Sequence, residues 1–375
     1  MKYLYLFGLI ILLVACTCNR KPASERTGGA DELPNLYASG FSIEKNGDGY
    51  IVTIKHPNDH SVVFQKFAFF RNEPLKDIKD LDFQIKIPLQ KVAALSVTHI
   101  GFINAVNAIK SVKGVTDPFR VYNTDVKYGI EKGEVQNLGE SMVPDTEKIL
   151  AMHPDAVFMS GFPNAKENNR ILKEARVPVI YTVAWTEKTP LARAEWIKFF
   201  GLLYDKEAYA DSVFSAVVQH YKTLVNYADS LDTKPEVFCG NSFKGVWYLP
   251  GGKSYVSGLI KDAGGNYIFN TDTTSGSMAV SFEVVYSEAK NADYWLNVQE
   301  KTMSEMLSHD KRYGSFRPVE IGNVYNRQGR GVLNRGNDYF ETGTWRPDLV
   351  LSDLIHILHP ETGQDSLIFY KRLDK

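Results

Sequence analysis

From Lys91 onward, short apolar runs alternate along the chain with segments of helical periodicity. The runs KVAALSV, DAVFMSG and VPVIYTV are apolar on both faces, with helix-like segments around them at residues 99–109, 145–152 and 167–175. Such strands, separated by helices, are typical of a parallel sheet that is covered on each side. After Pro235 the alternation resumes with EVFCGN, NYIFN, ADYWLN and VEIGNVYN. The pattern predicts an α/β fold of two Rossmann-like lobes with parallel sheets, at residues 91–187 and 206–346.

The strongest helical pattern lies between the two lobes, in the segment TPLARAEWIKFFGLLY at residues 189–204. Its four largest apolar residues recur at i, i+3, i+4 and i+7, the spacing of one helical face. Thr189 followed by Pro190 is a typical helix start, because the hydroxyl caps free amides and proline needs no hydrogen bond there. A second long helical segment follows at about residues 206–230. We predict that residues 188–205 form a single long rigid α-helix that joins the lobes.

Two further segments flank the lobes. FSIEKNGDGYIVTIKHP, at residues 41–57, alternates apolar and polar residues around a glycine-rich turn, which is the pattern of a β-hairpin. We assign residues 37–90 to an amino-terminal extension that contains this hairpin. A helical pattern near residues 348–358 and the run SLIFYKRL predict a closing helix and a terminal strand within residues 347–375.

The first residues have the features of a lipoprotein signal peptide, assigned to residues 1–15. Their apolar run is shorter than the roughly 20 residues that span a bilayer. Leu13-Val14-Ala15-Cys16 resembles a bacterial lipobox, in which the cysteine thiol receives the lipid. An ordinary secretion signal with a chance cysteine is the alternative. We predict lipidation of Cys16 and a flexible tether at residues 16–36, because this polar segment lacks apolar periodicity.

Composition and motifs disfavour several classes of protein. The chain has 43 Lys and Arg against 44 Asp and Glu, with no basic run outside the tether, so nucleic acid is not the expected partner. The segment WYLPGGKSYV lacks the first glycine of a phosphate-binding loop, because that position is Trp247. No G-x-S-x-G elbow is present. Since no base, nucleophile and orienting group stand together, we expect no enzyme activity.

Metal-ligating side chains do not converge in the sequence. The eight histidines are dispersed, and His356 and His359 are most simply explained by a helix end before Pro360. We therefore expect neither a metal site nor a bound cofactor. Cys239 lies in an apolar strand-like run and is expected to be an inert buried thiol. A disulfide between Cys239 and Cys18 is the alternative in an oxidising compartment.

One glutamate stands at an equivalent place in each lobe. DTEKILAMHPDAVFMSG and SFEVVYSEAKNADYWLN each contain a capping residue, a glutamate two positions later, an apolar helix, and an aspartate before a buried strand. Taken singly, Glu147 or Glu283 suits the first turn of a helix because its charge opposes the helix dipole. Taken together, the two carboxylates suggest a symmetric docking surface.

Five segments in order resemble one known family. They are AALSVTHIGFINAV, TEKILAMHPDAVF, WTEKTPLARAEWIKFFGLLY, YLPGGKSYVSGLIKDAGGNYIF and RPDLVLSDLIHILHP. The family comprises the substrate-binding proteins of bacterial ABC importers for iron chelates, haem and cobalamin, with the class III periplasmic binding protein fold. In that fold a single rigid helix bridges two α/β lobes. The resemblance covers roughly Val92 to Pro360.

The resemblance implies a monomeric periplasmic lipoprotein, anchored by its lipid to the membrane beside an ABC permease dimer with its ATPase subunits. Its expected ligand is an iron chelate, either a ferric siderophore or haem. In the family, a glutamate on each lobe binds arginines of the permease, and Glu147 and Glu283 occupy the matching positions. A lipoprotein enzyme or adhesin on the same scaffold is the alternative from another class.

Cobalamin or another corrinoid is the alternative ligand within the family. Close cobalamin-binding relatives carry a tryptophan shortly before each docking glutamate. Here those places hold GESMVP and SGSMAV, without an aromatic residue, which weakens the corrinoid alternative.

Ligand-binding residues are expected in loops at the carboxyl ends of the parallel strands, where open α/β sheets bind ligands. Aromatic side chains supply broad contact area for a ring-rich ligand, and arginines suit the carboxylates of a ferric chelate or haem. Core packing is the alternative for each aromatic residue, and surface exposure for at least one arginine. Trp247 and Trp345 are the favoured aromatic candidates. The predicted cleft residues are His99, Tyr122, Phe162, Trp185, Phe243, Trp247, Tyr248, Phe340, Trp345, Arg330, Arg335 and Arg346.

Overall fold

The computed structural model describes residues 31–331, 335–363 and 366–374 of the 375-residue chain. The predicted signal peptide, the predicted lipidation site Cys16 and most of the predicted tether lie outside the described residues. The end of that tether is described, and Asp31–Leu33 is a strand that pairs antiparallel with residues 43–45. The prediction of a flexible tether up to residue 36 is therefore wrong at its end, because strand pairing draws these residues into a sheet.

The amino-terminal extension is a five-stranded sheet that contains the predicted hairpin. Phe41–Asn46 pairs antiparallel with Gly49–His56, and Gly47 in the two-residue turn has a φ of 56°, a conformation that favours glycine. Phe67 and Phe69 from this sheet share a hydrophobic core with the first lobe. In sheet order the strands are Asp31–Leu33, Phe41–Asn46, Gly49–His56, Asp59–Phe70 and Phe83–Lys86, with only the last pair parallel.

Two buried glutamates hold the segment that leads into this sheet. The Glu195 carboxylate accepts backbone N–H groups from residues 36–38 at 2.7–2.9 Å. The Glu187 carboxylate accepts the backbone N–H groups of Ser39 and Gly40 at 2.8–3.1 Å. Several N–H donors offset part of the cost of burying each carboxylate. These hydrogen bonds therefore hold residues 36–40 against the segment that follows the last strand of the first lobe.

The first lobe is built on a sheet of five parallel strands, as predicted. Its spatial order places the first strand between the second and the fourth, which is the Rossmann arrangement. The strands are Val92–Ala94, Val112–Val115, Gln136–Asn137, Ala156–Ser160 and Val179–Thr182. The α-helices are Val97–Ala105, Thr124–Glu131, Thr146–Met152, Ala165–Asn168 and Arg170–Glu174. The 3-10 turns are Ile109–Ser111, Pro118–Arg120 and Ala184–Thr186. A small hairpin pairs Gly139–Glu140 with Val143–Pro144.

The second lobe has four parallel strands and one antiparallel edge strand. The edge strand, Lys371–Arg372, is the predicted terminal strand, and Pro347–Leu358 is the predicted closing helix. In sheet order the strands are Asn266–Tyr267, Glu236–Cys239, Tyr294–Val298, Val324–Asn326 and Lys371–Arg372. A separate antiparallel sheet holds Ser242–Phe243, Val246–Pro250 and Ser277–Val280. The other helices are Tyr255–Asp262, Phe282–Ala289, Met303–His309, Arg317–Ile321 and Thr342–Trp345, with 3-10 turns at Lys311–Ser315 and Pro360–Thr362.

The residues predicted to form one bridging helix form two shorter helices instead. Pro190–Ala194 and Trp196–Leu203 are separated at Glu195, whose carboxylate binds the amino-terminal segment. Both Phe199 and Phe200 are buried in the core of the first lobe. The prediction of a single bridging helix at residues 188–205 is therefore wrong. The four large apolar residues of its pattern pack in the core of the first lobe, whereas Leu191 packs in the core of the second.

A single long helix does join the lobes, and it is the next one along the chain, Glu207–Asp229, with 23 residues. Ala210 and Phe214 pack in the core that contains the first lobe, whereas Val217 and Tyr221 pack in the core of the second. Among the described residues no strand pairing connects the two parallel sheets. The predicted α/β class, with two lobes joined by a long helix, is confirmed.

Candidate ligand cleft between the lobes

A cleft lies between the lobes at the carboxyl ends of both parallel sheets. In the first lobe Ser96 follows one strand and Ser160 ends the adjacent one, at the point where the strand order reverses, which is where such sheets bind ligands. In the second lobe Asn241 and Asn297 hold the corresponding places. Two adjoining cavities of about 380 Å³ and about 290 Å³ have walls from both lobes. They share Trp185, Arg193, Tyr255, Val256 and Arg327.

A third cavity, of about 460 Å³, extends the cleft along the first lobe. It shares Ser96, Ser160 and Phe162 with the 290 Å³ cavity. Its outer wall includes Met142 and Val143 from the small hairpin of that lobe. The cleft as a whole therefore offers an elongated space.

Five of the predicted aromatic residues surround these cavities. Phe162 and Trp185 lie together on the first lobe, with ring centroids 5.4 Å apart, and the indole N–H of Trp185 donates to the Gly161 carbonyl. All five keep a large exposed surface, which is the condition for contact with a ligand. Their ligand contacts stay a prediction. The five residues are Phe162, Trp185, Phe243, Tyr248 and Phe340.

Trp247, one of the two favoured aromatic candidates, is in the core of the second lobe, and the prediction that it lines the cleft is wrong. Its side chain is 0% exposed, and its indole N–H donates to the Cys239 carbonyl at 3.1 Å. Its ring packs against Trp295 and Phe238. Alternate residues of a strand point to opposite faces, so its neighbour Tyr248 faces the cleft while Trp247 faces the core.

Replacing Trp247 with Ala is expected to cost about 3–5 kcal/mol of unfolding free energy, because it leaves a large cavity in a packed core. The matched control is Trp185→Ala, where the wild-type side chain is 45% exposed and about 1 kcal/mol is expected. Chemical denaturation of both variants measures the difference. Equal losses would contradict the assignment of these two tryptophans to core and cleft.

His99 is also a core residue, contrary to the prediction that it lines the cleft. It is 1% exposed, and its Nε2 lies 2.8 Å from the Thr182 hydroxyl. Burial lowers the pKa of His99 to about 3, so its ring is neutral. Its helix, Val97–Ala105, begins directly after a strand, and the side chain turns inward to the first lobe.

Tyr122 and Trp345 do not line the three cavities of the cleft. The backbone N–H of Tyr122 donates to the Glu341 carboxylate, and Trp345 packs against the core of the first lobe. Both residues lie where a segment of the second lobe contacts the first. The sequence pattern placed both residues in irregular loops, but Trp345 ends the helix Thr342–Trp345, and tertiary packing partly covers both side chains.

The three arginines predicted for the cleft lie outside its cavities. Arg330 pairs with Asp338 at 3.3 Å, and Arg346 binds Asp348 at the start of the closing helix through two hydrogen bonds. Arg335 is exposed at the surface. Local carboxylates hold Arg330 and Arg346, which contradicts the role predicted for these two, and Arg335 lines none of the three cavities.

Two other arginines line both cavities: Arg193, on the helix Pro190–Ala194 that follows the first lobe, and Arg327 of the second lobe. The Arg193 guanidinium lies 4.0 Å from the ring centroid of Tyr255, and its Nε is buried without a hydrogen-bond partner. The Arg327 guanidinium lies 4.9 Å from the Tyr339 ring and 5.2 Å from the Phe340 ring. Within the described parts of the chain, no carboxylate forms an ion pair with either arginine. Such stacked, unpaired guanidinium groups favour an anionic partner.

Sequence reasoning missed both arginines, for different reasons. Arg327 directly follows the parallel strand Val324–Asn326, and its place at the carboxyl end of the sheet was the available signal. Arg193 lies within the segment predicted to be a structural bridge. Nothing in its local pattern indicates that it faces a ligand space.

The two predicted docking glutamates occupy equivalent helix positions. Glu147 is the second residue of Thr146–Met152, which Asp145 caps, and Glu283 is the second residue of Phe282–Ala289, which Ser281 caps. Both glutamates are exposed. Hydrogen bonds from its own backbone N–H and from the Ser281 side chain lower the pKa of Glu283, which keeps it charged. Their docking role stays a prediction.

In the described residues, no group of three or more His, Cys, Asp or Glu side chains is arranged to hold a metal ion. The same residues include no helix that is long and apolar enough to cross a membrane. Cys239 is buried and free, and burial raises the pKa of its thiol to about 12.

The fold and the cleft define a class: a two-lobed binding protein that holds a small molecule between lobes joined by one long helix. The family model described as periplasmic binding protein matches residues 92–328, more than half of the chain. The chain therefore belongs to the periplasmic binding protein family. Its predicted family is confirmed.

Relatives with similar sequences are lipoproteins without an assigned function. The uncharacterized lipoprotein MJ0878 of Methanocaldococcus jannaschii is 29% identical, over 76% of this chain and 70% of that protein. The uncharacterized lipoprotein MJ0872 of the same organism is 27% identical, over 98% of this chain and 97% of that protein. The second alignment includes the amino-terminal extension as well as the lobes.

Solved structures share the fold at low sequence identity. A periplasmic heme binding protein from Pseudomonas aeruginosa aligns with a TM-score of 0.58 at 14% identity, over 76% of this chain and 99% of that one. A possible iron-binding solute-binding protein from Staphylococcus epidermidis gives 0.56 at 17%, over 73% and 100%. The vitamin B12 binding protein BtuF of Vibrio cholerae gives 0.55 at 15%, over 74% and 99%.

Proposed function

We propose that this protein captures an anionic iron chelate, a ferric siderophore or haem, in the cleft and delivers it to an inner-membrane ABC permease. The observation that carries this proposal is the pair Arg193 and Arg327, which both line the two adjoining cavities and have no carboxylate partner among the described residues. Guanidinium groups bind carboxylates and catecholate-type oxygens through charge-assisted hydrogen bonds. The ligand would thus supply the missing negative charge.

The aromatic walls support the same ligand class. Trp185, Phe162 and Phe340 present exposed ring surface to the cavities beside the two arginines. Ring surfaces contact a flat or ring-rich ligand over a wide area with little loss of side-chain freedom. Structural neighbours named for iron and heme are consistent with this choice.

A corrinoid is the alternative ligand. A vitamin B12 binding protein is among the structural neighbours, so the fold is compatible with such a ligand. Against it, Met142 and Met278 occupy the segments where close cobalamin-binding relatives carry tryptophan. A lipoprotein enzyme or adhesin on the same scaffold is the alternative from another class.

Native mass spectrometry with absorbance spectroscopy distinguishes these ligands. We expect the protein, mixed with a panel of ferric siderophores, haemin and cobalamin, to retain one anionic iron chelate as an unmodified 1:1 complex. Loss of the complex after Trp185→Ala would place the ligand in the cleft. Selective retention of cobalamin would support the corrinoid alternative, and chemical conversion of a bound compound would support an enzyme.

We further propose that the protein is a monomer, held at the membrane outside the cytoplasm by a lipid on Cys16. The family membership and the lipoprotein relatives support this location. Glu147 and Glu283 would then face arginines of the two permease subunits. Exposed carboxylates at equivalent helix starts on both lobes suit a symmetric partner, because paired rim charges set orientation and encounter rate.

A further inference from the structure

The segment Gly336–Trp345 of the second lobe lies across the cleft against the first lobe, and we call it the strap. Its backbone approaches the first lobe so closely that a Cβ atom on Gly336 would lie 2.2 Å from the Val121 carbonyl oxygen. A Cβ atom on Gly101 would lie 2.3 Å from the Glu341 carbonyl oxygen. Only glycine permits such contact between backbones. The lobes are thus held together by contacts of the strap as well as by the long helix Glu207–Asp229.

Glu341 supplies the charged contact of the strap. Its side chain is 3% exposed, and its two carboxylate oxygens accept the backbone N–H groups of Tyr122 at 2.5 Å and Asn123 at 3.0 Å. Both donors belong to the first lobe, just before the helix Thr124–Glu131. The strap residues next to Glu341, Tyr339 and Phe340, line the cleft.

We propose that Glu341 is a positioning residue that fastens the strap to the first lobe, and that this fastening weakens as the pH rises towards neutrality. This contact holds Tyr339 and Phe340 at the wall of the 290 Å³ cavity. Opening of the contact would therefore change the shape of that cavity. The contact lies wholly between described residues of this chain and does not depend on which solute the protein carries.

The pH dependence follows from the environment of the carboxyl group. Burial raises the pKa of Glu341 to about 7, the two N–H donors lower it, Asp338 raises it, and Lys127 lowers it. Arg330 acts on Asp338, with which it pairs. His99, on the helix that packs against the strap, is uncharged because burial lowers its pKa. The fastened state therefore binds a proton that the solvated carboxyl, with its ordinary pKa of 4.5, releases.

The sign of the effect follows from this difference. Between about pH 5 and 7 the fastened state holds one more proton than the opened state, so the opening constant rises about tenfold per pH unit. Above about pH 7 the carboxyl is ionised in both states, and the opening constant levels off.

Hydrogen–deuterium exchange of the Tyr122 and Asn123 amides in the full chain, corrected for intrinsic exchange rates at each pH, measures this opening without a ligand. We expect protection to fall about tenfold per pH unit between about pH 5 and 7. The amide of Leu95, bonded to the Phe158 carbonyl inside the first sheet, is the internal control and should show no such slope.

Four variants separate positioning from a merely structural role. Glu341→Gln should show no slope, because its side chain does not ionise, and only the amide that bonds to its single carbonyl oxygen should stay protected. Glu341→Ala should lose protection of both amides at every pH. Asp338→Asn should move the end of the slope to lower pH and Lys127→Gln to higher pH, since they remove charges of opposite sign. The proposal would be overturned if protection still fell with pH in Glu341→Gln. It would also be overturned if neither Asp338→Asn nor Lys127→Gln changed the pH at which the fall in protection ends.

Discussion

Replacing Arg193 and Arg327 together by glutamine is expected to weaken binding of the iron chelate at least about 100-fold. Each arginine is positioned for a charge-assisted hydrogen bond worth about 1.5–3 kcal/mol, and about 1.4 kcal/mol changes the dissociation constant tenfold. Neither side chain has an ion-pair partner in the described residues, so the substitutions leave no buried carboxylate unpaired and the fold should persist. Quenching of intrinsic tryptophan fluorescence, to which Trp185 at the cleft contributes, measures the affinity for the chelate identified by native mass spectrometry.

Arg335→Gln is the matched control, because it removes an exposed arginine that lies outside the cleft cavities. Its affinity should equal that of the wild type. Each single substitution, Arg193→Gln or Arg327→Gln, should lose about tenfold or more. An unchanged affinity in the double variant would show that the ligand makes no contact with this pair, and would end the argument for an anionic chelate.

Charge reversal at both docking positions, Glu147→Arg with Glu283→Arg, is expected to abolish uptake in cells that depend on this protein. Both carboxylates lie at the surface on the first turns of their helices, so reversal places positive charge where complementary arginines would face them. Ligand affinity of the purified variant should be unchanged, because neither residue lines the cleft. Uptake of the labelled chelate is the measurement.

The control reverses two other exposed glutamates, Glu131→Arg and Glu288→Arg, one on each lobe. Glu288 is on the same helix as Glu283 but near its opposite end, so the pair matches the test variant in net charge and in lobe. Uptake should stay at the wild-type level. Full uptake in the Glu147 and Glu283 variant would refute the docking proposal while leaving the chelate proposal intact.

Some elements of the fold were predictable because local pattern and tertiary burial agree. Strands such as Val92–Ala94 and Val179–Thr182 are apolar on both faces and are buried throughout. The hairpin at Phe41–Asn46 and Gly49–His56 follows from alternation around a glycine-rich turn. The two capped glutamates occupy the helix positions that their sequence segments predicted. In each case a few neighbouring residues carry the whole signal.

The cleft was predicted less well. Five aromatic residues border it, but Trp247 and His99 are buried because their side chains point into the core. The strand that carries Trp247 also carries Tyr248, and only the sheet beneath them decides which ring meets solvent. Arg330 and Arg346 carry the right charge, yet nearby aspartates hold them.

The amino-acid order alone was enough to define two parallel-sheet lobes, the paired helix starts and the family, because periodicity and caps act over a few residues. Three features depend on contacts between residues far apart in the chain. Tertiary packing selects Glu207–Asp229 as the helix that enters both cores, brings Arg193 and Arg327 to one cavity, and sets Glu341 beneath the amides of the other lobe. The pattern of apolar residues along the chain indicates which face of a helix or strand is buried. It does not indicate which distant residues pack against that face, because those contacts form only when the lobes fold together.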